Sequence, residues 1–225
     1  VTIPDHEPLG IVQIMPGMSE SRFLCDELAT VLASYDYVAI CVDYRGHGQS
    51  VDENHPLGHM ADSNGWITNL KGQSVFCQWI RERYRHLPFY VFAKGIGCLV
   101  AMSFLKRYEY ELSGLIMMSF PENDLGFGIM RGFSDRNVKR KGPRQANRAF
   151  TKRLYGAKDR RTNVKGVSNA WLSHDMNVIQ RYNDDELSGF DYSNRTVADI
   201  LFGFKDFYAS KDWHALKKSL PILLM

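Results

Sequence analysis

The sequence predicts an α/β fold, with a mostly parallel sheet, helices on both faces and an inserted helical cap. Short apolar runs that are typical of buried strands alternate with segments that show the spacing of amphipathic helices. A polar and basic stretch then interrupts this alternation, and one more apolar run follows it. A chain of 225 residues has room for one medium domain with such an insertion.

Four apolar runs predict four strands ahead of the interruption, at residues 10–15, 37–42, 87–93 and 112–120. Continuous apolar runs of this length favour a parallel sheet that is covered on both sides. Helical spacing predicts a helix after each of the first three strands, beginning near residues 22, 66 and 97. Ser21 is the candidate N-cap of the first helix.

The chain is expected to divide into three segments. Residues 1–120 form the amino-terminal part of the α/β core, and residues 121–219 form a helical cap or lid inserted into it. Residues 220–225 form a resumed core strand, which we expect to be short and buried. The rest of the core is expected to be absent from these residues.

The composition is that of an ordinary globular protein, with 44% hydrophobic and 24% charged residues. No apolar run approaches the roughly 20 residues that cross a bilayer, so we expect no transmembrane segment. The four cysteines are scattered and form neither a C-x-x-C pair nor a metal-ligand spacing. We therefore expect buried thiols in a reducing, cytoplasmic compartment, and no metal or other cofactor.

Positive charge is concentrated in one segment. Residues 131–165 contain 13 Lys or Arg residues and two Asp, whereas the whole chain has a net charge of only +3. Such a segment is either a solvated helical face or a surface for anions, such as an anionic lipid surface. No aromatic residues are interleaved in the way that base stacking needs, so nucleic acid is not expected as a partner.

The stretch YVFAKGIGCLVA at residues 90–101 leads a predicted strand directly into a predicted helix. Its small residues Ala93, Gly95 and Gly97 are spaced as in a nucleophile elbow, G-x-S-x-G, where a sharp turn lifts the apex residue clear of the sheet. Residues two before and two after the apex must be small, or strand and helix would collide. Because Gly95 occupies the serine position, the sequence predicts the turn, with positive φ at Gly95, but no nucleophile.

A dinucleotide-binding loop is the competing interpretation of these glycines. That pattern, G-x-G-x-x-G/A, needs a small residue where Val100 lies. It also needs an acidic residue after the next predicted strand, and none is present there. The sequence therefore favours the elbow.

Two motifs carry a family resemblance. The segment from QIMPGMSE to DYRGHGQS resembles the start of the monoacylglycerol lipase and lysophospholipase-like branch (serine aminopeptidase S33 type) of the α/β-hydrolases. The Asp-x-Arg-Gly-His-Gly-x-Ser motif is intact at Asp43, Arg45, His47 and Ser50, whereas the family's earlier His-Gly-x motif reads Pro-Gly-Met at residues 16–18. Segments of the insertion resemble the cap of bacterial members, so the resemblance covers nearly the whole chain.

This resemblance implies hydrolysis of a carboxylic ester, with an acylglycerol or lysophospholipid-like ligand. It assigns the nucleophile position to Gly95 and the oxyanion hole to the backbone N–H groups of Met18 and Ile96. It places the catalytic acid and base beyond residues 220–225. The chain is therefore expected to be catalytically impaired.

Two hypotheses about function stay open. The first is a degenerate hydrolase, a pseudoenzyme that still binds acyl lipids or a partner. The second is an enzyme that is active at full length and whose nucleophile comes from elsewhere.

Other polar side chains have a catalytic and a structural interpretation. His47 resembles a catalytic base, but the family places it in a structural loop behind the oxyanion turn. Cys98 lies inside the first helical turn after the apex, and Lys94 occupies the place of a family His, so we expect a buried thiol and an ion-paired or solvated amine. His174 and Asp175 are adjacent in sequence, do not face each other on a helix, and are expected on the cap surface.

Overall fold

The structure is a computed structural model that describes residues 1–108, 112–119, 126–159, 162, 164, 166–209, 211, 213 and 219–225. Its strands are β1 (Gly10–Met15), β2 (Tyr37–Cys41), β3 (Phe89–Lys94), β4 (Gly114–Met118) and β5 (Ile222–Leu224). They form one sheet in the order β2-β1-β3-β4-β5, and every neighbouring pair is parallel. The predicted α/β fold class is confirmed.

Helices connect the strands as the sequence predicts. Those that follow β1, β2 and β3 are α1 (Asp26–Ser34), α2 (Gly65–Arg83) and α3 (Ile96–Leu105). Those between β4 and β5 are α4 (Gly126–Lys141), α5 (Arg148–Asp159), α6 (Met176–Asp184) and α7 (Asn194–Tyr208). The insertion is therefore helical where it is described, while the division at residues 121 and 219 stays a prediction.

The first helix begins differently from the prediction. A short 3-10 turn, Arg22–Cys25, precedes α1, and the Ser21 side chain makes no capping hydrogen bond. Its hydroxyl donates instead to Asp185 Oδ2 at 2.8 Å, in the insertion. The predicted N-cap is wrong, because the Ser21 hydroxyl bonds to Asp185 in the insertion and not to a backbone N–H group of the helix.

The two faces of the sheet bury different helices. Val12 and Ile14 of β1 pack in a small apolar cluster with Ala29 of α1. Ile11 and Met15, which point to the opposite face, belong to the main core beside α2 and α3. This alternation explains why β1 is buried along its whole length.

Helix α7 belongs to the main core. Val197, Ile200 and Leu201 of α7 are buried in the same apolar cluster as α2 and α3. Gly203 lies so close to the buried Trp66 of α2 that a Cβ there would be 2.5 Å from the indole ring. Part of the segment that the sequence assigns to the cap thus packs directly on the core.

The strand β5 is not buried, and the expectation of a buried strand at 220–225 is wrong. Ile222, Leu223 and Leu224 are 40–66% exposed. β5 pairs with β4 on one side, and it lies at the edge of the described sheet. Apolar sequence predicted the strand correctly, but burial depends on neighbours that a strand at the sheet edge does not have.

The contact between α7 and α2 predicts the effect of one substitution. Gly203→Ala should lower the free energy of unfolding by about 1–3 kcal/mol, because the new methyl group must displace the Trp66 ring in a packed core. Gly132→Ala is the matched control on α4, since a Cβ there meets nothing within 4 Å. The control should be neutral or stabilising by up to about 1 kcal/mol. Urea unfolding measures both, and equal stability of the two variants would contradict the packing of α7.

Candidate active site

The elbow between β3 and α3 is formed as the sequence predicts. β3 ends at Lys94, α3 begins at Ile96, and Gly95 between them has φ 55° and ψ −119°. Gly95 N–H donates to Met118 O at 3.0 Å, and Gly95 O accepts from Cys98 N–H at 3.0 Å. The predicted strand–turn–helix with positive φ is confirmed, and glycine adopts this backbone conformation without the strain of other residues.

The small residues on either side of the apex are required by close contacts. A Cβ at Gly97 would lie 2.4 Å from Met15 O and 2.8 Å from Pro16 O, at the end of β1. Ala93 is fully buried. At the apex itself there is space, because a Cβ on Gly95 would meet only Gly17 Cα, at 3.9 Å.

A partly buried ion pair joins the loop after β1 to the elbow. The Glu20 carboxylate is almost fully buried and accepts from Gly17 N–H at 2.8 Å. Its other oxygen accepts from Lys94 Nζ at 2.8 Å. Of the two states expected for Lys94, ion-paired or solvated, the structure shows the ion pair, and this pairing engages the amine with a carboxylate rather than placing it as a nucleophile.

Asp43 ties the loop after β1 to the loop after β2. Its buried carboxylate accepts from Arg22 N–H at 2.6 Å and from Gln49 N–H at 3.0 Å. Gly48 lies against the same carboxylate, which a Cβ would approach to 2.3 Å. Because both of its oxygens accept hydrogen bonds from backbone N–H groups, the Asp43 carboxylate positions two loops.

Two other residues of the Asp-x-Arg-Gly-His-Gly-x-Ser motif, Arg45 and Ser50, lie at the surface. The exposed Arg45 contacts His55 Nε2 through its guanidinium at 3.0 Å. Ser50 is exposed, and its backbone N–H donates to His47 O at 2.8 Å, which closes the turn. Both contacts stabilise the local loop.

His47 is buried, and both of its ring nitrogens are engaged. Nδ1 lies 3.1 Å from Arg45 O, which can only accept, so Nδ1–H donates and Nε2 accepts from the Tyr192 hydroxyl at 2.9 Å. The same hydroxyl accepts from Ser19 N–H at 2.8 Å. Burial lowers the pKa of His47 to about 4. The imidazole is therefore neutral near pH 7, and it holds the insertion against the loop after β1.

The remaining candidates also have structural positions. Cys98 is fully buried, its thiol donates to Ala93 O at 3.3 Å, and burial raises its pKa to about 12. A thiol in this state is not nucleophilic near pH 7. His174 is exposed, and the Asp175 carboxylate caps α6 by accepting from Asn177 N–H at 2.8 Å.

A buried serine–histidine contact elsewhere in the chain escaped the sequence interpretation. His59 Nδ1 lies 2.8 Å from Ser193 Oγ, and His59 Nε2 lies 3.2 Å from Asp62 Oδ1. Ser193 is buried and caps α7 by accepting from Thr196 N–H at 3.2 Å. Ser193, His59 and Asp62 are connected in the order of a hydrolytic triad. However, the Ser193 oxygen already accepts a hydrogen bond at the N-terminus of α7. No local sequence signal could have found this contact, because its members are 134 residues apart.

The described residues contain no group of three His, Cys, Asp or Glu side chains that could hold a metal ion. In the same part of the chain, no helix has the length and apolarity to cross a membrane.

Comparisons with known proteins agree with this architecture. The chain superimposes on a thermostable carboxyl esterase from Bacillus coagulans, in complex with glycerol, with a TM-score of 0.84 at 20% identity, covering 98% of this chain and 71% of the esterase. It superimposes on a monoacylglycerol lipase from Paleococcus ferrophilus with a TM-score of 0.66 at 17% identity, covering 97% and 73%. At such identities the likeness concerns the fold alone.

The sequence comparisons differ in their outcome. No curated protein matches the chain. A family model described as serine aminopeptidase, S33 (Hydrolase_4) matches residues 6–225. The chain therefore belongs to the serine aminopeptidase S33 family of α/β-hydrolases.

Proposed function

We propose that this protein is a pseudoenzyme of its family, which binds acyl ligands at the elbow without hydrolysing them through a serine. The observation that carries the proposal is Gly95, which occupies the apex of a well-formed elbow and has no side-chain oxygen. Covalent ester hydrolysis of this type needs a nucleophile at the apex and a base to take its proton. Cys98 and Lys94, the nearest alternative nucleophiles, are engaged in other contacts.

The binding part of the proposal rests on backbone donors. We assign the oxyanion site to the N–H groups of Met18 and Ile96, because backbone donors do not depend on side-chain identity. Ile96 is the first residue of α3, where N–H groups favour a partial negative charge. Met18 follows Gly17, whose Cα is 3.9 Å from the place a Cβ on Gly95 would occupy. An ester carbonyl at the apex would thus lie beside Gly17, in the loop that carries Met18.

The ligand class follows from the family. We propose an acyl ester such as a monoacylglycerol or a lysophospholipid. A solved monoglyceride lipase from Saccharomyces cerevisiae, in complex with a substrate analog, shares the fold at 15% identity and a TM-score of 0.62. The alternative is an active enzyme with a nucleophile from elsewhere, and the activity measurements below distinguish the two.

The exposed face of α4 supports an anionic lipid surface as a partner. Phe133, Arg136 and Arg140 are exposed and lie on one side of the helix by their spacing, and Phe133 is 63% exposed. Two other basic residues of the segment are paired within the protein, Arg144 with Asp62 and Arg148 with Asp191. Basic side chains around an exposed aromatic ring suit an anionic bilayer surface.

We expect no esterase activity above background from the 225-residue chain. Oxyanion donors and binding alone leave an acceleration of about 10³–10⁴ over water, which is far below that of a complete triad. Hydrolysis of p-nitrophenyl butyrate and of a monoacylglycerol measures this, with the Bacillus coagulans esterase as positive control. Turnover at a rate typical of esterases would contradict the pseudoenzyme and favour the alternative.

Restoring the serine should not restore function. Gly95→Ser has space for its side chain but imposes a backbone strain of about 1–3 kcal/mol at positive φ. The buried imidazoles of His47 and His59 are engaged in other contacts, so we expect the new hydroxyl to have no base. We expect lower stability and no labelling by a fluorophosphonate probe.

Gly95→Ala is the matched control for this experiment, since it carries the same strain without the oxygen. It should lose the same stability as Gly95→Ser in urea unfolding. Fluorophosphonate labelling of the serine variant, at the rate of a true serine hydrolase, would show that a base lies at the apex.

The lipid-surface proposal predicts salt-dependent vesicle binding. The double variant Arg136→Glu/Arg140→Glu should bind vesicles that contain phosphatidylglycerol at least tenfold more weakly, because each basic residue near an anionic surface contributes about 1 kcal/mol. Lys71→Glu/Arg85→Glu is the control, with the same change in charge at exposed sites outside α4. Cosedimentation measures vesicle binding by both variants. An equal loss of binding would show that the attraction is nonspecific and would contradict the proposed surface on α4.

A further inference from the structure

A serine lies beside the apex of the elbow, on the side away from β1. In the sheet, β3 has β1 on one side and β4 on the other. The last register pair of β3 and β4 is Lys94 with Met118, and the residues that follow this pair are Gly95 and Ser119. Because paired strands lie about 4.8 Å apart, Ser119 is an immediate neighbour of the apex.

The backbone of Ser119 has an uncommon conformation. Its φ is 55°, in the left-handed region, where a residue with a Cβ is strained. The backbone is held from both sides, since Gly95 N–H donates to Met118 O and Ser119 N–H donates to Met225 O, each at 3.0 Å. Strained residues persist only where the surrounding structure imposes the conformation, and they are concentrated at ligand sites. The conformation therefore makes Ser119 a candidate for a contact with a ligand.

The hydroxyl of Ser119 is accessible from solvent. Ser119 is exposed, and its hydroxyl has no hydrogen-bond partner in the part of the chain that the structure describes. Ser19, the other serine with a positive φ among the described residues, is buried, and its hydroxyl donates to Phe190 O at 3.1 Å. The strained backbone at Ser19 thus places a hydroxyl in an internal contact, whereas the one at Ser119 leaves the hydroxyl available to a ligand.

The position of Ser119 indicates which part of an ester it would meet. Met18 belongs to the loop after β1, whereas Ser119 follows β4, so the two residues flank the apex from opposite sides. A carbonyl oxygen that accepts from Met18 and Ile96 has both of its lone pairs used. Of the two parts that remain, an acyl chain has no polar group for a hydroxyl to meet. The alcohol part of a monoacylglycerol has two free hydroxyl groups.

We propose that Ser119 binds the alcohol part of the acyl ester, through hydrogen bonds between its hydroxyl and the free hydroxyl groups of a glycerol head. A serine hydroxyl both donates and accepts, which matches an uncharged polyol. The exposure of Ser119 suits a head group that stays partly in water. This assignment rests on the proposed binding of acyl esters at the elbow, and it adds a preference for monoacylglycerols over esters of simple alcohols.

The test compares two ligands with the same acyl chain, monooctanoylglycerol and methyl octanoate. Isothermal titration calorimetry on the intact chain measures the affinity for each, below the concentration at which the esters form micelles. Ser119→Ala removes the hydroxyl and should weaken binding of the monoacylglycerol by about threefold to tenfold, as expected for one hydrogen bond. Binding of the methyl ester should not change, because its alcohol part has no hydroxyl for Ser119 to meet.

Two further variants separate the hydroxyl from the backbone and from general effects. Ser119→Gly removes the hydroxyl and also relieves the strain. It should bind monooctanoylglycerol as weakly as Ser119→Ala does, while unfolding at a higher temperature than that variant. Ser34→Ala is the matched control, because Ser34 is an exposed serine between α1 and β2, at the opposite edge of the sheet. This control should bind both esters as the unaltered chain does.

The outcomes distinguish this assignment from the function on which it rests. An unchanged affinity of Ser119→Ala for monooctanoylglycerol would overturn the role of Ser119 and leave the proposed function standing. An equal loss of affinity for both esters would show that Ser119 maintains the shape of the site, and it would overturn the assignment as well. Failure of the unaltered chain to bind either ester would overturn the proposed function itself, and the role of Ser119 with it.

Discussion

The elbow depends on one close approach, between the start of α3 and the end of β1. A side chain at residue 97 would lie 2.4 Å from the carbonyl oxygen of Met15, so only glycine allows this contact. Because the helix can pass so close, β3 turns into α3 through a single residue, Gly95. The turn therefore depends on backbone packing and not on the side chain at its apex. That separation explains how the elbow keeps its shape with a glycine at its apex.

The loop after β1 is held from several directions by buried polar contacts. Glu20 connects it to Lys94 at the elbow, and Asp43 connects it to the loop after β2. Tyr192 and the backbone of Gly189 connect it to the insertion, where Gly189 N–H donates to Ser19 O at 2.8 Å. Each of these groups would cost free energy if it were buried without its partner. The intact Asp-x-Arg-Gly-His-Gly-x-Ser motif thus has a structural use, and its presence alone is no sign of catalysis.

The sequence predicted what depends on local pattern. Apolar runs indicated the strands, and the spacing of Ala93, Gly95 and Gly97 indicated the elbow with its positive φ. Burial of β5 was predicted wrongly, because the exposure of a strand depends on its neighbours and not on its own residues. The position of α7 in the core was missed, because its buried apolar residues, such as Val197 and Ile200, lie within a segment whose average composition is polar. Contacts such as His47 with Tyr192 join residues 145 positions apart, and no single sequence indicates them.

The polar side chains around the elbow have their partners within the protein. Glu20, Asp43 and His47 use their polar atoms in hydrogen bonds to other protein groups. Buried polar groups that already have partners stabilise the local structure, and they leave little for a ligand to bind. The polar residues around the elbow therefore serve mainly to hold its shape.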